Sequence, residues 1–277
     1  MSLQRALIVT AFALAAGPAL AAPASLPPPI QPGANAPPAA TAPAARPAPV
    51  RATAEQRAEA ERLDPLGRAA FWAREADADP TDVNARLKLA KALRAMGKYD
   101  EAAATADQLL VVQPNNLEAL LESARARVAA NQGFYAIDDA ERAEALAPRD
   151  WRPVALLAIA LEQSDRDSEA LAAHQKALSL APDNPATLTN LGMYFATHGD
   201  PVSAEPLLRR AAAAPGATAQ ERQNLALVLG LQGKLDEAVQ LERRDLPPDV
   251  VQSNLAYLRA AADPPRPRTW ESLRADP

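Results

Sequence analysis

Cysteine is absent from all 277 residues. That excludes disulfides, thiolate metal sites, cysteine nucleophiles and any lipid joined through a cysteine sulfur. Aromatic residues make up only 4% and glycines number 10. Such scarcity argues against a β-sandwich and for helices packed through small residues. Positive charge is in deficit, with 29 Lys and Arg against 34 Asp and Glu for a net charge of -5. A protein built to grip nucleic acid or an anionic membrane would carry the opposite balance. The only histidines are His174 and His198, too few for the convergent ligand shell of a metal centre, and a catalytic histidine needs an orienting partner. No phosphate-cradling glycine loop, no G-x-S-x-G and no H-E-x-x-H occurs. The expectation is a protein that is not an enzyme and holds no metal or cofactor.

Proline, in contrast, is abundant at 27. The N-terminus reads as a targeting signal at 1–21: Arg5 gives a positive start, Ala6 to Ala16 an uncharged run, and Ala19-Leu20-Ala21 an A-x-A cleavage site. Cleavage after Ala21 and retention as an anchor both stay open. Residues 22–50 hold ten prolines and one charge, Arg46. Such a segment cannot bury enough apolar surface to order itself and is expected to be an extended tether.

Beyond the tether the prolines fall into a period. Pro80, Pro114, Pro148 and Pro182 lie 34 residues apart, and Pro215 follows at 33. A second column holds Gly97, Asn131, Asp165, Gly199 and Gly233, all turn or helix-ending types. Small residues fill two more, Ala90, Ala124, Ala158, Gly192 and Ala226, and Ala102, Ala136, Ala170, Ala204 and Ala238. Columns in fixed phase are the mark of a stacked repeat. The uncharged stretch in RQNLALVLGLQGKLDEA, residues 222–238, is thereby read as the fifth unit and not as a membrane span, because Gly233 breaks it and it is too short.

These columns resemble the tetratricopeptide pattern. The resemblance implies an all-α, right-handed helix-turn-helix solenoid, with five repeats at 81–246 behind an N-terminal helical pair at 51–80. A C-terminal helix at 247–263 is expected to cover the last repeat through Val250, Leu255, Tyr257 and Leu258, and 264–277 to form a tail. The second repeat is the least regular, with Ser123 and Arg127 where Leu and an aromatic are expected. A softer joint and simple divergence both account for that. Asp100, Glu101, Asp236 and Glu237 open second helices, where the helix dipole favours negative charge.

The groove-facing positions of the resembled family fall on Leu87, Lys91, Leu121, Arg125, Ala155, Ile159, Thr189, Met193, Gln223 and Leu227. The first two repeats would present cations at Lys91 and Arg125, and the last three a mostly apolar trough suited to a peptide of a protein partner. The later repeats lack the cations of the basic clamp that some family members use for a C-terminal carboxylate.

Four strings go further than the repeat pattern: AAFWAREADADPTDV (69–83), PRDWRPVALLAIAL (148–161), RQNLALVLGLQGKLDEA (222–238) and RRDLPPDVVQSNLAYLRAA (243–261). In this order they resemble the TadD-type tetratricopeptide proteins of Flp pilus assembly, the tight-adherence secretion system, over roughly 64–275. The resemblance implies a non-enzymatic scaffold, exported to the periplasm and acting near the outer membrane, whose partners are the secretin or other pilus-assembly components. Many such proteins look like lipoproteins, whereas here no cysteine is available for a covalent lipid. The alternative is a periplasmic adaptor of another envelope export or outer-membrane assembly system.

Overall fold

The computed structural model describes residues 51–262, so the signal segment, the tether and the tail lie outside the described residues. A short pair comes first, α1 (Ala54–Ala60) and α2 (Pro65–Ala78). Five longer pairs follow: α3 (Val83–Ala95) with α4 (Tyr99–Val112), α5 (Leu117–Ala129) with α6 (Gly133–Leu146), and α7 (Trp151–Gln163) with α8 (Asp167–Leu180). The last two are α9 (Pro185–Thr197) with α10 (Pro201–Ala213) and α11 (Ala219–Leu231) with α12 (Leu235–Glu242), and α13 (Pro248–Ala262) closes the array. No strand forms among the described residues.

Local chemistry sets both ends of each first helix. Asp82, Asn116, Asp150, Asn184 and Thr218 are the N-caps of α3, α5, α7, α9 and α11, and each side chain accepts a hydrogen bond from a main-chain N–H of the first turn. The turn column ends the same helices. Gly97, Asn131, Asp165, Gly199 and Gly233 all adopt left-handed backbone, with φ of 75°, 59°, 57°, 83° and 78°. The next residue then bonds five back along the chain, as in Lys98 N–H to the Leu93 carbonyl and Asp200 N–H to the Phe195 carbonyl, at 3.0 and 2.9 Å. One geometry repeated five times makes one unit repeated five times.

Small residues let the paired helices touch. Ala90, Ala124, Ala158 and Ala226 on the first helices and Ala102, Ala136, Ala170, Ala204 and Ala238 on the second are all buried. At Gly192 even a methyl group would be crowded, since a Cβ there would lie 2.8 Å from Leu208 Cγ. Branched and aromatic side chains, among them Val154, Leu161, Tyr194, Leu208, Leu225 and Leu229, fill the space between pairs. In α11 every residue from Asn224 to Gly230 is buried, because α9, α10, α12 and α13 surround that helix. That enclosure accounts for the uncharged run. No helix among the described residues is long and apolar enough to cross a membrane.

The second repeat replaces apolar filling with a charged network. Ser123 is fully buried and donates to Asp107 Oδ1 at 3.0 Å. Arg127 donates to Ser123 Oγ at 2.6 Å and to Asp107 Oδ2 at 2.7 Å, and also pairs with the buried Asp139. Burial pushes the Asp139 carboxyl up, with the Ser123 hydroxyl and the Arg127 charge opposing. Three helices, α4, α5 and α6, are thus joined where the sequence departs from the consensus. The polar residues are not a gap in the packing but a substitute for it.

At the C-terminal end one assignment changes. Val250 is 38% exposed, whereas Val251 and Leu258 of α13 are buried and Leu255 and Tyr257 half-buried. Leu258 sits directly over Gly230. The last turn junction carries a surface network: Lys234 Nζ and Arg209 Nη2 lie 2.6 and 2.8 Å from Glu205, and Arg209 also pairs with Glu237. Lys234 foremost, then Arg209, holds the Glu205 carboxyl down to about 2. A depressed carboxylate contributes stability above its ordinary value of 4.5 and loses it as pH falls toward about 2. The expected result is that acid loosens the α10–α12 junction through this window, read by hydrogen exchange, and that Glu205→Gln flattens that dependence.

Candidate partner-binding groove

The curvature of the array identifies its inner face. Each first helix packs closely against the first helix of the next unit, α3 to α5, α5 to α7, α7 to α9, α9 to α11, whereas successive second helices stand further apart and are bridged by long charged side chains, as Lys176 of α8 to Glu144 of α6 and Arg209 of α10 to Glu237 of α12. Rods in contact on one side and spread on the other form an arc, with the first helices inside. The inner face is therefore the concave surface of the solenoid.

Its N-terminal half is a ladder of charges crossing from helix to helix. Lys91 on α3 lies 3.8 Å from Glu118 on α5, and Glu118 accepts from Arg152 on α7 at 2.9 Å. Arg152 also clasps Asp150, which holds the Asp150 carboxyl below its ordinary value. One turn on, Arg94 donates to Glu122 at 2.6 Å, and Glu122 is fully buried. Arg125 stands 3.7 Å from the same carboxylate, and burial followed by the neighbouring Arg94 charge pulls the Arg125 guanidinium below its ordinary value. Lys91 and Arg125 are thus members of ion pairs and not free cations offered to a ligand.

The other half is less charged. Ile159, Thr189, Met193 and Gln223 are half-buried on α7, α9 and α11. Thr197 bonds Glu162 across the α7–α9 seam at 3.3 Å, and Gln163 reaches the Val128 carbonyl at 2.9 Å. Ile159 and Met193 are the apolar side chains that this stretch leaves partly open.

Three of the ten positions assigned to the groove lie beneath it. Leu121, Ala155 and Leu227 are 0%, 4% and 3% exposed. Leu121 belongs to a cluster with Leu109, Leu120, Ala143 and Leu156, because α5 has α3, α4, α6 and α7 around it. Leu227 lies in the enclosed run of α11, and the short Ala155 side chain does not reach the surface. Leu87, Lys91, Arg125, Ile159, Thr189, Met193 and Gln223 keep partial exposure. Sequence reasoning missed Glu118, Arg152, Arg94 and Glu122. The signal was present, since Glu118 and Arg152 have opposite charge one repeat apart, 34 residues on facing helices.

Comparison with known proteins agrees with this geometry. The tetratricopeptide repeat profile matches residues 83–126. No curated protein matches. Among solved structures, a thermophilic TPR protein of Thermus thermophilus superposes with TM-score 0.57 at 24% identity, covering 64% of this chain and 98% of that one. A tetratricopeptide repeat protein from Parabacteroides merdae gives TM-score 0.60 at 12% identity, covering 74% and 80%. MamA from Desulfovibrio magneticus gives 0.50 at 22%, covering 57% and 89%. Identities this low speak to the fold. The described residues form an all-α tetratricopeptide solenoid, an architecture that points to protein partners.

Proposed function

We propose that this solenoid is a non-enzymatic scaffold that holds protein partners of a Flp-type pilus, or tight-adherence secretion, machine in the periplasm. The observation that carries the binding role is the inner face itself, a continuous wall of first helices with Ile159 and Met193 partly open beyond a ladder of paired charges. A surface of that kind suits a segment of a partner laid along it, apolar contacts supplying affinity and the ladder supplying register. The pilus assignment is supported by the four strings at 69–83, 148–161, 222–238 and 243–261, which resemble the TadD-type proteins. Export is supported by the signal-like residues 1–21.

A crosslinking capture from envelopes of the source cell tests both parts. The mature chain and an Ile159→Glu, Met193→Glu variant are compared after circular dichroism shows equal helicity. Secretin or pilus-assembly proteins are expected with the parent chain and at least about tenfold less of them with the variant, as for loss of contacts at the centre of an interface. Recovery of a different export system would replace the pilus assignment. Equal recovery by both chains would remove the groove as the binding surface.

A further inference from the structure

Both histidines of the chain meet at one junction. His174 lies inside α8 and is 2% exposed, and His198 is the C-cap of α9. Tyr194 of α9 stands between them. Its ring stacks on His198 at 3.9 Å between centroids and lies 5.4 Å from the His174 ring, while its hydroxyl donates to the Asp167 carbonyl at 2.9 Å. Each imidazole faces a carboxylate of the third repeat. His174 Nε2 is 3.5 Å from Glu162 Oε2, and His198 Nε2 is 3.3 Å from Asp167 Oδ1.

Hydrogen-bond chemistry fixes the state of His198. Its Nδ1 lies 2.7 Å from the Tyr194 carbonyl oxygen, which can only accept, so Nδ1 carries the hydrogen. A neutral ring then leaves a bare lone pair on Nε2, pointed at the Asp167 carboxylate. Two acceptors 3.3 Å apart do not bond. Nε2 of both histidines is buried and makes no hydrogen bond. A proton on His198 Nε2 turns its contact with Asp167 into a charge-assisted bond, the strong kind, and a charged His174 ring is held by Glu162 in the same way.

We propose that the junction between the third and fourth repeats is a proton-operated latch, in which protonated His198 ties α9 to the start of α8 through Asp167, and protonated His174 binds Glu162. The neighbouring cations are engaged elsewhere. Arg166, in the α7–α8 turn with Asp165, is committed to Glu169, and Lys176 of α8 to Glu144 of α6. On the α10 side Asp200 caps its own helix through Ser203 N–H, and Glu205 holds Lys234 and Arg209. Among the described residues the ion pair of Glu162 is with His174 alone. The latch is closed when the rings are charged and open when they are neutral. Since α7 carries Ile159 and α9 carries Met193, closing it fixes the relative position of the two partly open groove residues, whatever occupies the groove.

The test is nitrogen NMR of the two imidazoles in the full chain, together with amide hydrogen exchange corrected for the intrinsic rate. With its ring neutral His198 is expected as the Nδ1–H tautomer, and with its ring charged as the imidazolium with a slowly exchanging Nε2–H. Exchange at the α7–α8 and α9–α10 turns is expected to slow by about tenfold between those limits. In Asp167→Asn and, separately, in His198→Gln that slowing is lost while the helices stay intact. An Nε2–H tautomer in the neutral ring, or the same slowing in both variants, would overturn the latch.

Discussion

Replacing Arg127 with methionine is expected to lower the unfolding free energy by about 3–5 kcal/mol, the usual cost of removing one partner of a buried ion pair. Methionine keeps the unbranched stem and much of the volume, so packing changes little. What is lost is the fork that holds Ser123, Asp107 and Asp139 together. Asp139 is 4% exposed, and stripped of Arg127 it must either stay charged in a poor environment or take up a proton. Adding Asp139→Asn and Asp107→Asn should restore a large part of the loss, because neutral amides tolerate the missing cation. Urea unfolding followed by circular dichroism measures both. A loss under about 1 kcal/mol for Arg127→Met would reduce the network to the level of a surface ion pair.

The second large effect is at Leu121. Leu121→Glu places a carboxyl at a fully buried position in an apolar cluster with Leu109, Leu120 and Leu156. Losing the leucine contacts and burying an unpaired acid together are expected to cost about 4–5 kcal/mol or more, enough to unfold the central repeats. The neighbouring column behaves otherwise. Met193→Glu, at a half-buried position on α9, is expected to stay within about 1 kcal/mol of the parent. Thermal melts of the two single variants separate these outcomes, and similar melting temperatures would show that Leu121 is not enclosed.

The contrast between these two apolar positions shows where sequence reading stops. The period of 34 and its turn column translate directly into backbone, since left-handed φ at Gly97, Asn131, Asp165, Gly199 and Gly233 is a local demand on each residue. The cap column at Asp82, Asn116, Asp150, Asn184 and Thr218 is equally local and spelled out in plain residue types, though only its Asn184 member is conspicuous beside a proline. Exposure is not local. Leu87 and Leu121 occupy the same place in successive repeats, yet Leu87 is half-buried and Leu121 fully so. The difference comes from the first helices α3 and α7 on the two sides of α5, where α3, among the described residues, has a first helix on one side alone, and no single repeat records that. The same holds for the histidines. His174 and His198 look isolated along the chain, and only the stacking of α8 against α9 puts Tyr194 between them.

Charge in the groove follows this rule too. Lys91 and Arg125 read as free cations because their carboxylates are not obvious along the chain: Glu118 lies 27 residues on from Lys91, on the neighbouring first helix, and Glu122 three residues back from Arg125. An inner face of paired charges recognises a partner by exchanging pairs, not by offering bare cations. That favours selectivity over raw affinity.

The concave face as the binding surface is tested most directly by a photoreactive amino acid placed at one position at a time in the source cell. Met193 and Ile159 are the inner positions, and Val202 of α10 and Val111 of α4, 70% and 82% exposed, are controls on second helices. Crosslinks to one and the same protein from Met193 and Ile159, and none from Val202 or Val111, are the predicted result. Crosslinks confined to the second-helix positions would contradict the groove and move the partner to the convex side.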